Sequence, residues 1–106
     1  MKDLIKYSYR YGVYISSYDL AKATNKKHQN LMATVKRNYK YYIHYYTQDH
    51  KYYKNQKVYI LTPRIIQAIN KKGIYNDLLE ELKKEQQKRS EKIQKEIEMF
   101  FKVLPQ

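Results

Sequence analysis

Residues 77–106 hold seven bases and seven acids, and the stretch from Asn76 to about Lys102 reads as a single helix. At 1.5 Å per residue such a helix runs roughly 40 Å. Committing the last quarter of the chain to it leaves about 76 residues to build a core, with no cysteine to cross-link them. A body that small is marginal without disulfides, metal or oligomerisation, so self-association is the expected source of further burial. The helical seam runs through Leu78, Leu82, Gln86, Arg89 or Ser90, Ile93, Ile97, Phe100 and Leu104. It is apolar at both ends and needs a partner, because an isolated amphipathic helix is not self-sufficient in water. Leu78, Leu82, Ile93, Ile97 and Phe100 are the expected contacts of a homodimer. Glu85 with Arg89, and Glu91 with Lys95, offer charge pairs along the helix.

The charge balance of the tail throws the whole excess onto the body. Residues 1–76 carry 15 Lys and Arg against Asp3, Asp19 and Asp49, which accounts for the entire formal charge of +12. Thirteen of the 14 tyrosines precede residue 60. A basic, tyrosine-rich body suits a polyanion, and nucleic acid binds such surfaces through phosphate neutralisation and counterion release. No run approaches the 18 or so apolar residues that a membrane span needs, and the N-terminus lacks an apolar leader core, so a soluble cytoplasmic protein of a bacterial host is expected.

Along the body, residues 1–15 alternate around Tyr7, Tyr9, Tyr11, Val13 and Ile15, which reads as a strand or an extended arm over residues 1–12. Ser16 is placed to cap a helix, with Asp19 answering three residues on. That helix continues through Leu20 and Ala21 and stops near Asn25, a residue that tolerates the left-handed conformation. A second helix starts around Lys27 and ends near Tyr39, with Leu31, Val35 and Tyr39 as its buried stripe. Two aromatic, β-branched runs, Tyr41–Tyr46 and Val58–Leu61, read as a hairpin whose turn lies at Gln48–His50 or at Asn55-Gln56. Thr62-Pro63 starts a third helix, with Ile65, Ile66 and Ile69 inward and Gly73 as its stop after Lys71 and Lys72.

Helix, tight turn, helix, hairpin, helix is the order of a winged helix-turn-helix. The expected fold is therefore mainly α with a small β-hairpin: a DNA-binding domain over residues 13–73 and a dimerising helix over 74–106. In such a domain the second helix lies in the major groove with its N-terminal residues at base edges. Lys26, Lys27, His28, Gln29 and Asn30 occupy that position, followed by Met32, Lys36 and Arg37. Gln and Asn read adenine with two hydrogen bonds, and Lys serves guanine or phosphate. Lys51, Lys54, Asn55 and Lys57 would carry the wing to the backbone.

The run Ser17-x-Asp19-Leu20-Ala21-x-x-Thr24-Asn25-Lys26-x-His28-x-x-Leu31-x-x-x-Val35 resembles the opening of the Rha-type phage regulatory proteins. Tyr59-Ile60-Leu61-Thr62 resembles the strand and helix start that follow in that family. The similarity spans about residues 13–70 and implies a winged helix that controls genes of a phage or mobile element. Lys26 and His28 fall on the family's Lys-x-His turn, and Leu31 and Val35 on its core positions. Asn25 stands where the family usually has Gly, and Pro63-Arg64 replaces its acidic-glycine pair.

Leu20, Leu31, Val35, Ile66 and Ile69 are expected in the core. So are Tyr9, Tyr11, Tyr39, Tyr42 and Tyr59, wholly or in part. One tyrosine of each doublet, Tyr45-Tyr46 and Tyr52-Tyr53, is expected outside. His28, His44 and His50 have no metal-ligand spacing, and the three carboxylates of the body are too dispersed for a two-metal nuclease. No Gly-rich phosphate loop is present. No enzyme, cofactor or metal is expected. The expected partners are double-stranded DNA and a second copy of the chain. Two rival functions are an antirepressor or anti-host inhibitor binding a host or phage protein, and a single-stranded DNA or RNA binder using its exposed tyrosines.

Overall fold

The computed structural model describes residues 1–49, 51–52 and 54–103, with the side chain of Val103 left aside. A short 3-10 turn at Lys2–Leu4 leads into β1 (Lys6–Ser8) and β2 (Gly12–Ser16). These are followed by α1 (Ser17–Ala23), α2 (His28–Asn38), β3 (Tyr45–Gln48), β4 (Gln56–Leu61), α3 (Pro63–Ile69) and α4 (Asn76–Val103). Among the described residues, four α-helices thus accompany one four-stranded antiparallel sheet of order β1-β2-β4-β3. That is a mixed architecture rather than a mainly α one with a single small hairpin.

The difference arises at the N-terminus. Of the two alternatives, strand and arm, the strand forms: residues 6–16 fold on themselves, pairing Lys6 with Tyr14 and Ser8 with Gly12. Ser8 Oγ accepts from the amides of Arg10 and Tyr11 at 3.1 and 3.3 Å, and Gly12 takes φ +76 to complete the turn. Serine offering its hydroxyl to nearby amides, followed by a positive φ, makes a tight reversal. β2 then pairs with the far end of β4, Ile15 opposite Leu61. This leaves β4 central, and Val58 to Leu61 are buried without alternation, as expected of a strand covered on both faces.

Ser16 Oγ accepts from the Asp19 amide at 3.0 Å, the expected cap of α1, while the Asp19 carboxylate turns to Lys6 Nζ at 3.4 Å. The helix stops at the expected place, with Asn25 at φ +54 and the Lys26 amide bonded to Ala21 O. Lys27 is the N-terminal cap residue of α2, and Leu31 and Val35 are its buried positions. The first aromatic run enters the sheet late. Tyr41 to His44 lie outside β3; of the candidate turn positions, Gln48 ends β3 and Gln56 opens β4, and the Asn55 amide donates to Asp49 Oδ1 at 3.2 Å, while His50 lies outside the described residues. Pro63 opens α3 as expected, although Thr62 makes no side-chain capping bond. The helix also ends earlier than Gly73, at Ile69. Asn70 Oδ1 accepts from the Tyr75 amide at 2.6 Å, and Lys72 and Gly73 turn left-handed at φ +56 and +73.

α4 spans the expected residues, but its first two turns are not a free seam. Leu78, Leu79 and Leu82 sit in the same cluster as Val13, Ile15, Leu20, Leu31, Val35, Leu61, Ile66 and Ile69. Burying a Leu or Ile contributes about 1.5–3 kcal/mol relative to exposure. The extra burial that the small body needs therefore comes from its own C-terminal helix. From Glu91 to Lys102 every residue is exposed, including Ile93 at 49% and Phe100 at 59%.

Candidate nucleic-acid interface

α2 contains no acid. Leu31 and Val35 face the core, so a rotation of 100° per residue puts Gln29, Ala33, Lys36 and Arg37 on the opposite side, flanked by Asn30 and Met32. All of these are exposed except Met32, which is half-buried against the core. Ala33 lies at the middle of this face. As neither a donor nor a charge it carries no binding signal in the sequence, yet a small residue there lets the helix backbone approach a ligand closely.

The first turn of α2 stands beside β4. Lys27, His28, Gln29, Met32, Gln56 and Lys57 surround an open concavity of about 530 Å³. On the other flank Asn30 joins Lys26, Lys27 and Thr34 around a second depression of about 380 Å³, floored by Leu31, Ile69 and Tyr75. Gln29 and Asn30 are therefore adjacent in sequence but open onto different hollows.

Two of the expected contacts are engaged within the fold. His28 Nε2 lies 2.7 Å from Ser17 Oγ, and its Nδ1 lies 3.3 Å from Gln56 Nε2. The same Ser17 Oγ accepts from the Tyr59 amide at 2.8 Å. This set ties the start of α1, the start of α2 and the middle of β4 together, with both ring nitrogens of His28 engaged within the fold. Desolvation lowers the His28 pKa below the usual value of 6.5, so the imidazole is neutral at neutral pH. Lys26 reaches the other way: its Nζ donates to Tyr75 Oη at 3.1 Å and stands 5.3 Å from the centre of that ring. The turn between α1 and α2 is thereby pinned to the entry of α4.

Lys51, Lys54 and Asn55 are exposed between β3 and β4, with Lys51 Nζ 5.5 Å from the Tyr52 ring centre and Asn55 at φ +56. Lys57 lies at the base of the loop, its Nζ 4.3 Å above Tyr45, in a cation–π contact that orients it. Tyr45 is exposed and Tyr46 half-buried, the alternation that a strand imposes on a doublet. Tyr53 and His50 fall outside the described residues. Among the tyrosines expected in the core, Tyr59 is buried and Tyr11 and Tyr39 are half-buried, but Tyr9 is 99% exposed and Tyr42 71%. Tyr9 lies at the β1–β2 turn and Tyr42 in the irregular segment before β3, where strand periodicity does not apply.

Of the expected dimer contacts, Leu78 and Leu82 belong to the chain's own core, while Ile93, Ile97 and Phe100 are exposed. Leu104 lies outside the described residues. In between, Arg89 packs on Tyr7 of β1, its guanidinium 4.1 Å from the ring centre, and pairs with Glu85 at 3.4 Å. None of the helices among the described residues is long and apolar enough to cross a membrane. The chain matches no known family model, curated protein or solved structure.

Proposed function

We propose that the chain is a sequence-specific double-stranded DNA-binding regulator that uses α1, α2 and the β3–β4 hairpin as a winged helix-turn-helix. The resemblance to Rha-type phage regulators points the same way. The observation that carries the reading is the acid-free outer face of α2, whose Lys27 and Gln29 share one open groove with Gln56 and Lys57 of β4. α2 is 11 residues long, about 16 Å, and enters a major groove about 12 Å wide without obstruction from Ala33. Gln29 and Asn30 would read bases. Lys27, Lys36, Arg37, Lys51, Lys54 and Lys57 would meet phosphates, while Lys26 and His28 hold the reading helix. The first-turn amides of α2, left without a side-chain cap by Lys27, add to the attraction for phosphate. Two copies would pair along Ile93, Ile97 and Phe100, which sets the half-sites apart on a repeated operator.

Selection of binding sites from random duplex DNA, at two salt concentrations, tests this. An enriched motif is expected, and Gln29→Ala should lose about 1–3 kcal/mol on that motif alone. Lys57→Ala should weaken all sequences alike and flatten the salt dependence. The absence of a motif, or equal losses for both variants on matched and scrambled DNA, would refute the assignment.

A further inference from the structure

We propose a second site, at the end of α2 and along residues 39–45, that binds unpaired nucleotides by stacking their bases on Tyr41 and Tyr42. It rests on the duplex reading only for the position of the neighbouring double strand. Tyr41 and Tyr42 are 76% and 71% exposed, yet each ring is braced from within. Tyr41 meets the half-buried Tyr39 edge to face at 5.5 Å, and Tyr42 meets His44 in the same way at 4.9 Å. His44 in turn packs on Tyr11 at 4.6 Å. Rings supported in this way keep their orientation while presenting apolar surface to water, which is the geometry of a stacking platform.

The rings open onto a depression of about 410 Å³ that Lys36, Lys40 and Lys57 also line, with Tyr45 beside them and no carboxylate among the lining residues. Single-stranded nucleic acid answers both features at once, since its phosphates meet the lysines and its exposed base faces meet the rings. Duplex DNA keeps its base faces stacked inside and offers only phosphate and sugar. An acidic peptide would meet the lysines and leave the ring faces uncovered. Lys57 lines this depression and the Gln29 groove alike. Lys36 follows Gln29 by seven residues, about 10 Å along the helix axis or roughly three base-pair steps. A strand leaving the duplex at the end of α2 would pass directly over the tyrosines.

Fluorescence anisotropy of the full chain with a blunt duplex, and with the same duplex carrying a six-nucleotide tail, tests the site. The tail is made in three forms: thymidines, uridines and abasic units. A thymidine or uridine tail should tighten binding about five- to fifty-fold, and an abasic tail should do little. Tyr42→Ala and Tyr41→Ala should erase the gain while leaving blunt-duplex affinity unchanged, and Tyr42→Phe should keep it. An abasic tail as effective as thymidine, a gain that survives both alanine variants, or equal displacement of the tail by poly-glutamate would overturn the proposal. The blunt arm reads the other claim separately. A chain that ignores the blunt duplex but binds free strands in a Tyr42-dependent way would refute the duplex reading and uphold this one.

Discussion

Ser17→Ala isolates the joint that positions α2. The Ser17 side chain is fully buried, and its oxygen accepts the buried Tyr59 amide while meeting His28 Nε2. Removing the oxygen leaves a buried N–H without an acceptor, at a cost of about 1–3 kcal/mol, and takes from His28 a bond worth about 0.5–1.5 kcal/mol. A total near 2–4 kcal/mol follows, a drop of roughly 10–20 °C in Tm for a domain of this size. Ser16→Ala is the internal standard: it loses only the α1 cap, about 1 kcal/mol. Urea denaturation should show a lower midpoint for both variants with unchanged slope, and Ser17→Ala should be the more damaging by at least a factor of two. Exchange of the Tyr59 amide should accelerate beyond the change in global stability. If Ser17→Ala cost no more than Ser16→Ala, the shared oxygen would not be what joins α1, α2 and β4.

Because burial lowers the His28 pKa, the unfolded chain takes up that proton first as pH falls below about 6.5. Stability should therefore be level above neutrality and decline from pH 6.5 downward, and His28→Gln should reduce that decline in thermal melts across pH 5–8. Truncation after Lys92 removes Ile93, Ile97 and Phe100 but spares the buried Leu78, Leu79 and Leu82; it should keep Tm within a few degrees and yield a monomer by sedimentation. Truncation after Gly73 should unfold the chain instead, since loss of buried leucines costs about 2–5 kcal/mol each. Asn25→Ala should cost about 1 kcal/mol in the left-handed turn, whereas Asn25→Gly should cost nothing, as read by chemical denaturation.

Local chemistry reached the chain one element at a time. The cap at Ser16, the left-handed stop at Asn25, the buried pair Leu31 and Val35, the proline start of α3 and the extent of α4 are all legible from neighbours within four residues. Those signals are short-range: a hydroxyl three residues from an amide, a ring that fixes φ, a period of 3.6. The three-carboxylate poverty of the body and the acid-free run of α2 are likewise plain in the sequence. Tertiary packing decided what lies beyond that range. Whether residues 1–12 form an arm or a hairpin depended on an open edge of β2 and a serine turn. Whether Leu78 and Leu82 serve a partner or the core depended on how much apolar surface the body left uncovered. His28 reads as a contact until Ser17 and Gln56, 11 and 28 residues away, take both its ring nitrogens. Tyr42 reads as core until the strand is found to begin at Tyr45. Sequence alone determined the local elements and the sign of the surface, because those depend on residues already joined by a few bonds. The three-dimensional fold decided which side chains remain free to bind, because that depends on which distant groups compete for the same donors and the same apolar area.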